Sequence, residues 1–216
     1  MVIISIPKSG TYLCKEILEQ AGLKFMNLHI EPNCDQCAYR TGKKGGRSFV
    51  TECNLEQLSE MAVPGSFFIG HLPYNDRTKF LEDLMPVIFL KRELRHAWLS
   101  MKRYLESGHG TDGGIYAVSD MKSYLNLVAK IAPWVGHSKI VVDIEEMRNP
   151  TRALVNKFSL AGAGVTVGQV KNALDSESLT KNDEFTGLSC WNDSLEREFV
   201  GCGGLELNEL LVGVRR

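Results

Sequence analysis

Six consecutive residues near the start of the chain have the chemistry of an anion site, Pro7-Lys8-Ser9-Gly10-Thr11-Tyr12. Lys8 brings a positive charge, Ser9 and Thr11 bring hydroxyl donors, and Gly10 allows a tight backbone turn. The order differs from the Walker A pattern, in which the lysine follows the last glycine. The run predicts a phosphate-binding loop of another type; the alternative is an ordinary turn with a surface lysine.

A second candidate anion site lies on the pair Arg92 and Ser100, which are eight positions apart. Eight residues span a little over two helical turns, so both side chains can face the same side of one helix. A guanidinium fork and a hydroxyl together suit a phosphate dianion. The alternative is an arginine that binds a neighbouring carbonyl and a serine inside a helix.

His71 is the candidate general base. It stands in the segment Gly70-His71-Leu72-Pro73, directly after the apolar run Ser66–Ile69. The ordinary imidazole pKa, near 6.5, suits proton transfer at neutral pH.

These side chains must be held by strands and helices, and the hydrophobic pattern predicts both. Apolar, β-branched runs predict four buried strands: Val2–Ile6, Ser66–Ile69, Pro86–Leu90 and Lys139–Asp143. Helical spacing predicts helices at 11–21, 54–61, 78–84, 94–105, 119–132, 151–160 and 167–174. We therefore expect one α/β domain over residues 1–216, with a mainly parallel sheet flanked by helices and a P-loop-like turn after the first strand. In such sheets ligands bind at the carboxyl ends of the strands, where the three candidate clusters fall.

Three segments lack a clear pattern. Residues 23–29 are expected to be extended, and 31–48 to form a long polar loop. Residues 106–114 are rich in glycine and suggest a mobile entry loop. The tail after residue 182 is expected to be irregular, apart from a short helix near 205–211.

Composition limits the class of protein. The 216 residues carry a net charge of −1, so there is no global basic field for nucleic acid. No apolar run approaches the about 18 residues of a membrane span. The N-terminal apolar stretch runs straight into the loop, so we expect no signal peptide and a cytoplasmic location.

Cysteine usage leaves one possible metal site. Six cysteines in a chain of this length do not indicate a disulfide scaffold, and Cys14 is expected in the core. Cys34 and Cys37 form the one Cys-x2-Cys pair; His29 and Cys53 are the nearest further ligands for zinc. Reduced thiols on a loop are the favoured interpretation.

These motifs resemble, in order, those of sulfotransferases that use 3′-phosphoadenosine 5′-phosphosulfate (PAPS). Pro7–Thr11 is similar to their 5′-phosphosulfate loop, and Arg92 with Ser100 to their 3′-phosphate motif. Gly70–Pro73 resembles the segment that bears their catalytic histidine. Ile140–Met147 resembles a late strand that ends in an acidic pair, here Glu145 and Glu146, and Trp191 the tryptophan of their C-terminal loop.

The chain departs from the family pattern at three places. Ile69 stands where the family has a lysine two residues before the histidine. Leu13 stands where the family often has a tryptophan that stacks on adenine, which leaves Tyr12 as a candidate for that role. The C-terminal Arg-Lys-Gly of the family is missing. The 3′-phosphate would then be held by Arg92 and Ser100, with Lys91 or Arg95 as possible additions.

The resemblance implies transfer of a sulfuryl group from PAPS to a hydroxyl or amine of a small-molecule or glycan acceptor. His71 would accept the proton, Lys8 would stabilise charge, and no metal would be needed because no polyphosphate has to be bridged. Two alternatives remain open: a P-loop kinase or NTPase with Asp143 as its magnesium ligand, and a non-catalytic nucleotide- or zinc-binding module built around Cys34 and Cys37.

Overall fold

Seven strands form one sheet in the part of the chain that the computed structural model describes, residues 1–30, 39–43, 46–50, 63–76, 78–107, 118–176 and 188–213. In chain order the strands are β1 (Val2–Ser5), β2 (Lys24–Ile30), β3 (Tyr39–Lys43), β4 (Gly46–Val50), β5 (Ser66–Gly70), β6 (Val87–Lys91) and β7 (Ile140–Asp143). Their order across the sheet is β4-β3-β2-β5-β1-β6-β7.

Five neighbouring strands, from β2 to β7, run parallel. Strands β1 and β5 are fully buried, as their unbroken apolar sequences predict for the centre of a sheet covered on both faces. The fold prediction of a mainly parallel sheet flanked by helices is confirmed, and so are the four predicted strands, each within one or two residues.

Ten helices are described on the two faces of this sheet. They are α1 (Thr11–Gln20), α2 (Leu81–Leu84), α3 (Leu94–Glu106), α4 (Met121–Ile131), α5 (Trp134–His137), α6 (Ile144–Arg148), α7 (Arg152–Leu160), α8 (Val167–Asp175), α9 (Asp193–Gly201) and α10 (Gly204–Val212). None of them has both the length and the apolar character needed to cross a membrane.

Each face of the sheet has its own hydrophobic core. One contains side chains of α1, α6, α7 and α8, with Cys14 buried among them as expected. The other contains side chains of α3, α4 and the C-terminal helices α9 and α10, around the fully buried Trp134 and Tyr124. The sheet therefore separates two layers, and α1 and α3 lie on opposite sides of β1.

The expectation of a long polar loop over 31–48 was wrong in part. Tyr39–Lys43 pairs with β2, and Gly46–Val50 pairs with β3, both antiparallel. The polar sequence concealed these strands because β3 and β4 are stabilised by main-chain pairing, β3 with β2 and β4 with β3, which needs no apolar run at this side of the sheet.

The expectation of an irregular tail was wrong over Asp193–Gly201, which forms α9, whereas the short helix expected near 205–211 is confirmed as α10. Asn192 caps α9 by accepting a hydrogen bond from the main-chain N–H of Leu195, at 3.0 Å. Gly203, at φ 78°, makes the turn into α10. Gly204 lies against Phe199, where a Cβ atom would come within 2.5 Å of the ring.

Several sequence expectations lie outside the described residues. These are the helix over 54–61, the cysteines Cys34, Cys37 and Cys53 as zinc ligands, and most of the glycine-rich segment after residue 107. The helix expected over 78–84 is limited to Leu81–Leu84, preceded by turns.

Candidate active site at the carboxyl edge of the sheet

The loop between β1 and α1 has the conformation of an anion cradle. Lys8 and Gly10 both have left-handed φ angles, 69° and 88°. Gly10 is the N-cap of α1, and no side chain caps this end of the helix. A Cβ on Gly10 would lie 3.0 Å from the side chain of Ile144, which would have to shift slightly, so glycine is favoured there chiefly by its φ. The main-chain N–H groups at the start of α1 are thus available to an anion.

Two buried hydroxyl groups, those of Ser9 and Tyr124, hold the loop in place through hydrogen bonds to main-chain carbonyls. Ser9 Oγ donates to the carbonyl of Ile6 at 2.7 Å, and the phenol of Tyr124 donates to the carbonyl of Pro7 at 3.0 Å. Because the Ser9 hydroxyl is engaged inside the protein, what Ser9 can offer an anion is its main-chain N–H. The role of Tyr124 had no signal in the sequence, since it lies on α4, far along the chain.

The side chain of Lys8 packs against α3. Its Nζ atom lies 3.6 Å from the centre of the Tyr104 ring, a cation–π contact. Burial, followed by the charge of nearby Arg103, lowers the pKa of Lys8 to about 8. The ammonium is therefore held in a partly desolvated, electropositive place, where an anion would stabilise its charge.

Arg92 joins the second candidate anion site to the first. It follows β6 and is only 6% exposed, and its Nη1 donates to the carbonyl of Lys8 at 3.0 Å. Its Nε is buried without a hydrogen-bond partner, and no carboxylate of the described residues forms an ion pair with it. Burial and the charge of Arg148 lower its pKa to about 10. A buried guanidinium without a bonded counter-ion indicates a place for an anion.

Ser100 is half-buried on α3, about two turns from the start of that helix. Glu93 begins the helix as its N-cap by accepting a hydrogen bond from the main-chain N–H of His96 at 3.0 Å. The helix therefore begins directly after Arg92, as the spacing of Arg92 and Ser100 requires.

His71 lies at the same edge of the sheet, and its tautomer follows from its contacts. The Nδ1 atom is 2.7 Å from the carbonyl oxygen of Ser5. A carbonyl can only accept a hydrogen bond, so Nδ1 carries the proton and Nε2 has the basic lone pair. His71 is 2% exposed; burial, together with the charge of Lys8, lowers its pKa to about 4 although the Ser5 carbonyl raises it. The imidazole is thus neutral at pH 7.

The backbone around His71 is held on both sides. Its N–H donates to the carbonyl of Ile30 at 3.1 Å. The strands β2 and β5 approach so closely here that a Cβ on Gly70 would lie 2.8 Å from Cβ of Ile30. On the other side, the indole of Trp134 donates to the carbonyl of Leu72 at 2.9 Å.

A second histidine, His29, contacts His71, and the sequence had suggested it only as a zinc ligand. The centres of the two rings are 5.0 Å apart. The hydroxyl of Tyr12 is 3.4 Å from Nδ1 of His29. The pairing of β2 with β5 brings the two histidines together, since His29 is in register with Ile69, two residues before His71, and nothing in the sequence alone indicated this register. His29 therefore lies between His71 and Tyr12, whose side chain is 59% exposed.

Lys91 and Arg95 are both engaged by the C-terminal helices. Lys91 Nζ donates to the carbonyl of Leu211 at 2.9 Å, near the end of α10. Arg95 donates to both carboxylate oxygens of Glu196, at 2.7 and 2.9 Å, and Trp191 donates to the same carboxylate. These contacts attach α9 and α10 to β6 and α3, and they occupy the two residues that could have supplemented Arg92.

The end of β7 differs from the expected pattern. The strand ends at Asp143, and the acidic pair Glu145 and Glu146 lies in the first turn of α6. Asp143 is the N-cap of this helix; its carboxylate accepts from the N–H of Glu145 at 3.0 Å. A carboxylate therefore stands at the strand end, where the kinase alternative needs its magnesium ligand, and one of its oxygens is engaged in capping. Among the described residues, no three His, Cys, Asp or Glu side chains cluster as metal ligands would.

Comparison with known proteins identifies the fold. No protein-family model matches the chain, and no curated protein sequence matches it. Among solved structures, the chain resembles the crystal structure of mouse sulfotransferase SULT7A1 complexed with PAP, with a TM-score of 0.57. The likeness covers 97% of this chain and 88% of the mouse chain at 14% sequence identity. The chain thus has a sulfotransferase-like fold, while its chemistry must be argued from its own residues.

Proposed function

We propose that the protein is a sulfotransferase that moves a sulfuryl group from PAPS to a hydroxyl or amine of an acceptor. The observation that carries this proposal is the buried Arg92, whose Nη1 is bonded to the loop at Lys8 and whose Nε has no partner among the described residues. Arg92 thus connects the two candidate anion sites, because it lies at the end of β6 and is hydrogen-bonded to the loop that contains Lys8. PAPS carries phosphate groups at both the 5′ and the 3′ positions of one nucleotide, which suits two such sites.

The residues present fit this co-substrate. The uncapped N-terminus of α1, with Lys8, suits the 5′-phosphosulfate, and Arg92 with Ser100 suits the 3′-phosphate. When bound, PAPS supplies an activated sulfuryl group. The mouse protein with the same fold was crystallised with PAP, which supports a site for the same nucleotide here.

His71 is the residue that we assign to the acceptor proton. Nδ1 donates to the Ser5 carbonyl, so the basic Nε2 is the atom able to receive it. Lys8 holds a positive charge beside the loop, where negative charge on the leaving phosphate would develop, and this electrostatic stabilisation is expected to be the larger contribution. Ser5, Trp134 and Ile30 hold the imidazole or its backbone in place.

Three further parts of the proposal rest on the sequence. One domain over residues 1–216 performs the reaction, it does so in the cytoplasm, and the acceptor is a small molecule or a glycan. Tyr12 stays the candidate for adenine stacking; it contacts His29, whose ring in turn contacts His71.

The proposal is tested by thermal unfolding with two nucleotides, in the absence of magnesium. We expect 3′-phosphoadenosine 5′-phosphate (PAP) at about 100 times its dissociation constant to stabilise the protein by about 2.7 kcal/mol, several degrees in melting temperature. ADP at the same concentration should give little shift, because it has no 3′-phosphate for Arg92.

The matched variant is Arg92→Gln, which keeps a polar side chain and removes the charge. We expect it to lose most of the difference between PAP and ADP, so that PAP raises the melting temperature of the variant little more than ADP does. Equal shifts with PAP and ADP in the wild type, or a shift that needs magnesium, would contradict the proposal and favour an NTPase.

A further inference from the structure

A chain of three buried polar groups connects the loop to the candidate base. Ser5 Oγ lies 2.7 Å from Oγ1 of Thr11, the first residue of α1, and 3.2 Å from Nδ1 of His71. Ser5 is fully buried, Thr11 is 5% exposed and His71 is 2% exposed. The two hydroxyls therefore bridge the space between the start of α1 and the imidazole inside the protein.

The hydrogen positions in this chain are set at the His71 end. Nδ1 must carry its proton, because it faces the carbonyl of Ser5 at 2.7 Å. Ser5 Oγ can share that proton as a second acceptor, which leaves its own hydroxyl hydrogen for Thr11 Oγ1. The hydroxyl hydrogen of Thr11 is then directed away from Ser5, and the N-terminus of α1 is the position where an anion could accept it.

We infer that the Ser5 and Thr11 hydroxyls connect the phosphate loop to His71 through hydrogen bonds. Binding of the nucleotide at the loop polarises these bonds, so that the imidazole becomes a stronger base. An anion that accepts from Thr11 makes Thr11 Oγ1 a better acceptor for Ser5, and Ser5 Oγ in turn a better acceptor for Nδ1–H. Hydrogen bonds in such chains strengthen one another. Electron density shifts toward Nε2, and no covalent bond is made or broken.

The groups around His71 determine how readily the imidazole accepts a proton. Among the described residues near the ring, Lys8 of the loop disfavours the imidazolium and Ser5 of β1 favours it, while His29 of β2 lies at 5.0 Å between ring centres. With the loop empty, burial and Lys8 keep His71 a weak base. The inference rests on the proposed function, because it takes the loop to be the site of the nucleotide phosphate.

The experiment follows the ¹⁵N resonances of the His71 imidazole through a pH titration, with and without saturating PAP. We expect PAP to raise the pKa of His71 by about one unit in the wild type, and by less than about half as much in Ser5→Ala. The remainder in Ser5→Ala is the direct electrostatic effect of the phosphates, which needs no hydroxyl. Ser138→Ala is the matched control, because Ser138 is another buried serine, outside this chain of groups.

A second variant keeps the test decisive if Ser5→Ala does not fold. Thr11→Val has nearly the same shape and removes the hydrogen bond between Ser5 and Thr11, so it should reduce the PAP-induced shift in the pKa of His71 by a similar factor. The double variant should lose no more than either single variant, because both interrupt one chain. An equal PAP-induced shift in the wild type and in the variants would overturn the inference. Failure of the wild type to bind PAP would instead refute the proposed function.

Discussion

At the scale of single residues, the site contains two positively charged side chains whose protonated forms are disfavoured by burial when no ligand is present. Lys8 and Arg92 are both held in positions where burial lowers the pKa, to about 8 and about 10. An anion reverses this effect, since it restores the favourable interaction that water would have provided. Burying these two charges without an anion lowers the stability of the empty protein. A phosphate bound at the site would explain why both residues are present.

The lowered pKa of Lys8 predicts that the affinity for PAP depends on pH. Its pKa is lowered from 10.5 to about 8, so the ammonium loses its proton as the pH rises through about 8. The phosphates of PAP are already dianionic above pH 7, so we expect the dissociation constant of PAP to increase about tenfold between pH 7 and pH 9. Isothermal titration calorimetry at several pH values measures this change.

The control for this prediction is Lys8→Arg, whose guanidinium stays charged throughout the range. Its affinity for PAP should be nearly independent of pH. A wild-type affinity that is as flat as that of Lys8→Arg would show that Lys8 is not the titrating group in binding.

At the scale of elements, the position of His71 is set by the close pairing of β2 and β5. These strands meet at Ile30 and Gly70, where the sheet leaves no room for a side chain. The main-chain bond from His71 to Ile30 extends the pairing by one residue beyond β5. The imidazole is thus placed by a strand end, which is more rigid than a loop.

Gly70→Ala tests this arrangement. The added Cβ would lie 2.8 Å from Cβ of Ile30, close to the backbone of β2, so the strands must separate. We expect a loss of about 1–3 kcal/mol in the free energy of unfolding, measured with urea, and a changed His71 resonance. Gly136→Ala is the control, because a Cβ there would meet no atom within 4 Å. A Gly70→Ala variant as stable as Gly136→Ala would contradict the account of the strand pairing.

At the scale of the whole molecule, the C-terminal helices pack on the layer that carries Arg92 and Ser100. Phe199 and Leu211 are buried in the same core as Trp98 of α3. The carboxylate of Glu196 receives Arg95 and Trp191 together, which fixes α9 against α3. These helices therefore support the helix that follows the candidate 3′-phosphate site.

Glu196→Gln should lower the free energy of unfolding at pH 7 by about 1 kcal/mol, a value expected for a partly exposed ion pair. Arg95, followed by Trp191, lowers the pKa of Glu196 from 4.5 to about 2. The stabilising contribution is therefore present above about pH 4.5 and is lost as the pH falls toward 2, so the difference between wild type and variant should diminish in acid. Urea unfolding at pH 7 and pH 3 measures it.

Glu198→Gln, an exposed change on the same helix, is the matched control and should leave stability unchanged. A difference between wild type and Glu196→Gln that grows in acid would contradict the assigned ion pair.

The sequence alone determined the features that depend on neighbours along the chain. Buried strands appeared as unbroken apolar runs, helices as periodic spacing, and the loop as a lysine and a glycine between a strand and a helix. The resemblance of Pro7–Thr11, His71 and Arg92 to one family, in the right order, predicted the fold that the likeness to the mouse sulfotransferase then identified.

Only the tertiary structure decided which groups meet across the sheet. The contacts of Tyr124 with Pro7, of His29 with His71, and of Ser5 with both Thr11 and His71 join residues from different elements. The strands β3 and β4 and the helix α9 were also missed. The two strands are stabilised by main-chain pairing, which needs no apolar periodicity in the sequence, and α9 by packing and ion pairing with α3, which is distant along the chain.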